Sequence, residues 1–307
     1  GDGDLDLAVG TSSVTQPSRV YENTGAGLSL AWSSVETDPT KSVAWGDWDG
    51  DGDLDLAVGN YSNRANRVYE NTGGGLSLAW TSTEVDFTYE VAWGDWDGDG
   101  DLDLAVGNDY DPSRVYENVG GSLSLAWSST ESARTRSVAW GDWDGDGDLD
   151  LAFGNQSANQ VYENAGGSLS LAWTSTETVT TLDVAWGDWD GDGDLDLAVG
   201  NQLENQIYEN TGGGLSLAWT SDEVAQSSSV AWGDWDDDGD LDLLTFWESS
   251  GGGEHLLRND DGTFVDVTEK TGLSDLQTYN PCTDANGNSS EHEPTAGAAW
   301  LDLDGDG

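Results

Sequence analysis

The chemistry of this sequence is concentrated in one stretch, Asp47-Trp48-Asp49-Gly50-Asp51-Gly52-Asp53-Leu54-Asp55, which sets five carboxylates on alternate positions. The arrangement returns as Asp95, Asp97, Asp99, Asp101 and Asp103, then as Asp142, Asp144, Asp146, Asp148 and Asp150. It returns again as Asp188, Asp190, Asp192, Asp194 and Asp196, and as Asp234, Asp236, Asp238, Asp240 and Asp242. Carboxylates this close repel one another, and their ionisation is costly unless a cation sits among them. Counting Asp47 as position 1, acids fall at 1, 3, 5, 7 and 9, with Gly52 at 6 to let the backbone turn sharply. Ca²⁺ takes hard oxygen ligands in a flexible shell, whereas Mg²⁺ prefers few protein ligands and retained waters. Each loop is therefore expected to bind Ca²⁺ through the carboxylates at 1, 3, 5 and 9 and the backbone carbonyl at 7. The side chain at position 7 is left to water. Two incomplete copies lie at the ends, with Asp2, Asp4 and Asp6 in one and Asp302, Asp304 and Asp306 in the other.

The elements around the loop decide which kind of calcium site it is. A helix-flanked calcium loop needs a bidentate acid at position 12. That position holds Val58, Val106, Phe153, Val199 and Thr245. The loop must instead join two strands. Ser42 to Asp47 reads as a first strand, and Leu54-Asp55-Leu56-Ala57-Val58 alternates as a second. Arg67 to Asn71 is a third, Thr72 to Gly75 a turn, and Leu76 to Trp80 a fourth. No segment carries a helical period of useful length.

The first tryptophan of each copy stands at Trp45, Trp93, Trp140, Trp186, Trp232 and Trp300, spaced 48, 47, 46, 46 and 68 apart. Four short strands per repeat of that length is the pattern of a β-propeller blade, which must stack on neighbours to bury both faces. The expected fold is an all-β propeller of four-stranded antiparallel blades, six or seven in number. Its units run over about 1–41 (partial), 42–90, 91–137, 138–183, 184–229, 230–297 and 298–307 (partial), within a single domain. If the chain ends meet, their half-loops complete a sixth site in a six-bladed ring. The Gly-Asp-Gly overlap between them favours instead the loss of part of a seventh blade. The polar stretch 278–294 is read as an inserted surface loop.

Composition narrows the partners. The chain carries 9 Lys+Arg against 60 Asp+Glu, a formal charge of -51. Such acidity is common in disordered chains, but 17 Trp, 9 Tyr and regular apolar alternation require a packed core. It excludes nucleic acid, whose phosphates need a basic face, and disfavours anionic membranes. No apolar run is long enough to span a bilayer. The single cysteine, Cys282, excludes an internal disulfide framework. The chain opens inside the repeated motif without an initiator Met, as expected of a piece or processed product of something longer.

Asp47-x-Asp49-x-Asp51-Gly52-x-x-Asp55-Leu56 resembles the calcium loop of FG-GAP and VCBS-type repeats, found in integrin α-subunit propellers and many bacterial surface proteins. Val58-Gly59-Asn60 stands where such repeats often end in Gly-Ala-Pro. The last unit, from Leu257-Arg258-Asn259 through Gly262-Thr263-Phe264 to Gly272-Leu273, looks like the VCBS variant of large secreted proteins. The resemblance covers essentially the whole chain. It implies an extracellular propeller with Ca²⁺ in the loop between first and second strands, and it names no ligand. Asp237 departs from the glycine seen at Gly50, Gly98, Gly145 and Gly191, adding charge beside the Asp234 loop.

Three functions follow as expectations. The first is a non-catalytic adhesion or protein-interaction module of a secreted or surface protein, stabilised by Ca²⁺. The second is a carbohydrate-binding propeller, if Trp48, Trp96, Trp143, Trp189 and Trp235 stack on sugars rather than pack between blades. The third, part of a polysaccharide-degrading enzyme, has only the inserted loop behind it. His255 and His292 are isolated, and no nucleophile elbow or phosphate loop is present. Trp80, Trp127, Trp173 and Trp219 read as packing residues. Tyr69-Glu70-Asn71 and its copies read as a cross-strand pair followed by a turn residue.

Overall fold

The computed structural model describes residues 5–222, 226–247 and 253–271. Asp2, Asp4, Asp302, Asp304, Asp306, Cys282, His292 and the 278–294 insertion lie outside them, as does the question of whether the chain ends meet. The elements follow one another as meanders. The first sheet holds β1 (Leu7–Val9), β2 (Arg19–Asn23) and β3 (Leu28–Ser33). The second holds β4 (Thr40–Gly46), β5 (Asp55–Asn60), β6 (Arg67–Asn71) and β7 (Leu76–Thr81). The third holds β8 (Thr88–Gly94), β9 (Asp103–Asn108), β10 (Arg114–Asn118) and β11 (Leu123–Ser128). The fourth holds β12 (Thr135–Gly141), β13 (Asp150–Asn155), β14 (Gln160–Asn164) and β15 (Leu169–Thr174). The fifth holds β16 (Thr181–Gly187), β17 (Asp196–Asn201), β18 (Gln206–Asn210) and β19 (Leu215–Thr220). The sixth holds β20 (Ser227–Gly233), β21 (Asp242–Trp247), β22 (Glu254–Asp260) and β23 (Thr263–Asp266). Each sheet is antiparallel, in sequence order, as a propeller blade requires. One helical turn, α1 (Thr268–Thr271), follows β23; its four residues are too few to show a period in the sequence.

The described chain forms two compact units. Of the described residues, one comprises 5–140, 147–155 and 161–171, the other 141–146, 156–160 and those from 172 to 271. In the first, the cluster of Trp48, Ala57, Val68, Val91, Leu104, Val106, Tyr116 and Leu123 joins one blade to the next. Trp80 at the end of β7 meets Tyr116 edge-on at 5.1 Å and donates its indole N–H to the Leu123 carbonyl at 3.0 Å. Edge-to-face geometry adds about 1 kcal/mol to the area such rings bury. In the second unit, Trp173 repeats both contacts with Tyr208 and Leu215.

The inner strands have no backbone ladder between them, so side chains tie them together. The Ser42 hydroxyl accepts the Val91 N–H, Glu90 accepts that of Val138, and Asp183 accepts that of Val230. The Trp93 indole donates to the Ala44 carbonyl. It lies so close to Gly46 that a Cβ there would come within 2.6 Å of its ring. Glycine ends the inner strand because the neighbouring tryptophan occupies the space a side chain needs.

The strand boundaries differ from the sequence reading in an informative way. The second strand begins at Asp55, and every residue of β5 is buried. Leu54, expected to point inward, is 55% exposed, while Asp55 is fully buried. Alternation fails because hydrogen bonds reach both Asp55 carboxylate oxygens, offsetting part of the cost of burying the group.

Candidate metal centre

Each Asp loop folds back on itself through its own carboxylates. The Gly52 N–H donates to Asp47 Oδ2 at 3.0 Å, Asp51 N–H to Asp49 Oδ1 at 3.2 Å, and Asp53 N–H to Asp51 Oδ1 at 2.9 Å. Gly50 and Gly52 have φ of 75° and 93°, left-handed values that favour glycine. Asp237 holds φ of 57° at the position equivalent to Gly50, which the short polar Asp tolerates better than most residues.

The folding gathers oxygens. Ligand atoms of Asp47, Asp49 and Asp55 lie within 4.8 Å of one another, as do those of Asp188, Asp190 and Asp196, and of Asp234, Asp236 and Asp242. In the other two loops the groups are Asp95, Asp97 and Asp99, and Asp142, Asp144 and Asp146. Positions 1 and 3 are thus common to all, with either 5 or 9 as the third member. Asp47 Oδ1 and Asp188 Oδ1 are buried and have no hydrogen-bond partner. A buried carboxylate oxygen left without a donor is costly, and a bound cation would remove that cost. The residues present fit a hard divalent cation.

Position 9 has a second function. Asp55 Oδ2 accepts the Trp48 N–H at 3.1 Å and Oδ1 accepts the Asn71 N–H at 2.7 Å. Asp103, Asp196 and Asp242 repeat the pair, and Asp150 and the half-loop residue Asp6 accept from Asn164 and Asn23. Burial pushes Asp55 up to about 6 and Asp103 and Asp196 up to about 7, against the lowering effect of those N–H donors.

Position 7 departs from the expectation. Its side chain is not left to water in three loops: Asp101 accepts the Gly120 N–H at 3.0 Å, Asp148 that of Gly166 at 2.8 Å, and Asp240 that of Asp261 at 3.2 Å. A turn between third and fourth strands comes within reach of the loop, which sequence spacing alone does not reveal. Asp53 and Asp194 lie near Gly73 and Gly212 of the corresponding turns.

The residue the sequence reading undervalued is the asparagine after each Tyr-Glu pair. The Asn118 side chain donates to the Leu102 carbonyl of its own loop and to the Trp48 carbonyl of the preceding loop. Asn164 does the same to Leu149 and Trp96, Asn210 to Leu195 and Trp143, and Asn259 to Leu241 and Trp189. These asparagines clamp successive loops together. The available signal was their return in every repeat, even where Leu257-Arg258 replaces Tyr-Glu.

The loop tryptophans are packing residues in four of five copies. Trp48 and Trp96 are 4% exposed and Trp143 and Trp189 8%, whereas Trp235 is 39% exposed. Sugar stacking at the four buried rings is excluded. The Asp234 loop also faces a cation, since Arg258 lies 3.7 Å from Asp236 and 2.6 Å from Asp260.

The FG-GAP-like repeat matches residues 1–58, 47–106, 95–153, 142–199 and 188–245, each span running from one Asp loop through the next. The chain belongs to the FG-GAP-like repeat family. No curated protein sequence matches it. Among solved structures it is similar to BBS1N, from a complex with ARL6DN soaked with lead, at 13% identity and a TM-score of 0.59. That alignment covers 86% of this chain and 77% of the other. It is also similar to an Agrocybe aegerita lectin, from a study of its recognition of non-reducing terminal N-acetylglucosamine. There the identity is 16% and the TM-score 0.55, over 86% of this chain and 79% of the lectin. At these identities the likeness shows the fold alone, a family propeller built of repeated blades.

Proposed function

We propose that this chain is a Ca²⁺-binding propeller domain acting as a non-catalytic adhesion or interaction module of an extracellular protein. The observation behind the metal reading is the pair of buried, partnerless oxygens on Asp47 and Asp188, each beside two further carboxylates. Positions 1 and 3 would hold the ion in every loop, with 5 or 9 completing the carboxylate set. When bound, Ca²⁺ neutralises acids that otherwise repel and ties the first strand of a blade to its second. Five such ions would bring the charge from -51 to about -41, which suits a saline medium where screening limits self-repulsion. Among the described residues no helix is long and apolar enough to cross a membrane.

Affinity typical of extracellular modules, roughly 10⁻⁴ to 10⁻³ M, is expected. At ten times Kd each site then stabilises the fold by about 1.4 kcal/mol. Melting followed by circular dichroism in Ca²⁺ and in EGTA tests this. A midpoint that rises steeply with Ca²⁺ is expected; an unchanged midpoint rejects the metal reading. A carbohydrate ligand is the second reading, and it has to bind away from the four buried loop tryptophans.

A further inference from the structure

The blades are near copies, so positions where they differ are those that packing leaves free. The second residue of each inner strand is such a position, holding Lys41, Tyr89, Arg136, Leu182 and Ser228 in β4, β8, β12, β16 and β20. Leucine and serine serve there without altering the framework, so the cations and the tyrosine are not required by the fold. In the first compact unit these three stand side by side. Lys41 Nζ lies 5.4 Å from the Tyr89 ring centre and 5.8 Å from that of Tyr61, and the Arg136 guanidinium carbon lies 4.7 Å over Tyr89. Tyr61 meets Tyr89 and Phe87 edge-on at 5.2 and 5.0 Å. All five side chains are half-buried, leaving part of each accessible.

Six of the nine Lys and Arg residues fall between Lys41 and Arg136. Arg64 and Arg67 pair with Asp38, Arg114 with Asp86, and Arg134 with Asp109. Arg136 is different, because its Nε is buried without a hydrogen-bond partner. A guanidinium held in place by an aromatic face, with its Nε shielded, offers its two terminal nitrogens to the planar fork of a carboxylate.

We infer that the Lys41–Tyr89–Arg136 row, with Tyr61 beside it, binds a compact ligand bearing one carboxylate, of which a uronic acid is the probe, the carboxylate on Arg136 and the tyrosines holding the two cations in place. The inference rests on the interaction-module reading and gives that module its ligand surface. Asp109 lies near Tyr89, so a compact ligand with one negative charge fits the row better than an extended acidic peptide. The Asp loops lie at the other end of the inner strands, six residues or about 20 Å away. That exceeds two Debye lengths of about 8 Å at physiological ionic strength, so their charge is largely screened at the row.

The test uses the whole chain in Ca²⁺, with binding of methyl β-glucuronide and of uncharged methyl β-glucoside followed by ligand-observed NMR. A glucuronide Kd on the order of 1 mM is expected for a ligand of this size, with the glucoside at least tenfold weaker. Arg136→Gln and Tyr89→Leu should each weaken glucuronide binding by roughly tenfold, Arg136→Lys by less, and Lys270→Gln not at all. Melting in Ca²⁺ verifies that each variant is folded. Equal binding of the two sugars, no glucuronide binding at about 10 mM, or indifference to Arg136→Gln overturns the inference. Tighter binding of a tri-aspartate peptide than of the glucuronide overturns it in favour of an acidic peptide partner. A calcium-insensitive melt counts against the metal reading alone, so the two failures are separable.

Discussion

The two ends of a blade obey different rules. At the end carrying the Asp loop, residues repeat almost without change, because each is held by several partners at once. Asp55 accepts from two backbone N–H groups, and Asn118 bonds to its own loop and to the one before it. At the opposite end Lys41, Tyr89, Arg136, Leu182 and Ser228 occupy one register position with no common chemistry. Repetition marks where the fold is constrained. Divergence marks where a ligand surface can be placed at little cost to stability.

The comparison breaks most readily at the loop end. In EGTA, Asp55, Asp103 and Asp196 retain protons in the folded protein up to about pH 6 to 7 because burial disfavours their charge. The unfolded chain releases the same protons near pH 4. The folded state therefore binds more protons between pH 4 and 7, and metal-free stability is lost as pH rises through that window. A fall in melting temperature on the order of 10 °C is expected, and saturating Ca²⁺ should flatten it. A metal-free midpoint that rises over this range contradicts the assignment.

Next in size is the clamp. Asn118→Ala strands the Trp48 and Leu102 carbonyls and two N–H donors of the following turn, at about 3 kcal/mol. Among the described residues the Asn71 side chain donates to Leu54 and accepts from Gly73, with no second loop in its reach, so Asn71→Ala should cost about 1 kcal/mol. Urea denaturation of both variants measures the gap, and equal losses would remove the clamp.

A smaller contrast lies among the loops themselves. Arg258 already offers charge to Asp236 where other repeats carry glutamate, and Trp235 is exposed where its counterparts are buried. Arg258→Gln should therefore tighten Ca²⁺ at the Asp234 loop by roughly threefold, the scale of a screened charge at that distance. Tryptophan fluorescence during a Ca²⁺ titration reads it, and weaker binding would show that the arginine supports the site. The smallest effect belongs to the other end: Arg136→Gln and Tyr89→Leu should each change folding stability by no more than about 1 kcal/mol. A larger loss in urea denaturation would make the row a structural element.

Much was legible in advance because the repeat multiplies the evidence. A loop seen five times fixes its own register, and Val58 and its counterparts exclude helix-flanked calcium sites from one position. The four strands of a blade followed from turn residues and alternation to within a few residues. The reading missed where one residue answers to two elements. Leu54 and Asp55 exchanged exposures because the donors to Asp55 come from Trp48 and from β6. The position-7 aspartates were assigned to water because the turns they reach lie some twenty residues further on.

The sequence by itself determined that this chain makes meandering four-stranded blades with acidic loops between first and second strands. Local spacing carries that information, since strand period, turn glycines and carboxylate positions all act within one repeat. Only the tertiary structure decided which oxygens lack a donor, which asparagines clamp neighbouring loops, and that Lys41, Tyr89 and Arg136 form one row. The clamp and the row depend on contacts between residues about 47 or more positions apart, brought together because a blade cannot bury both its faces alone.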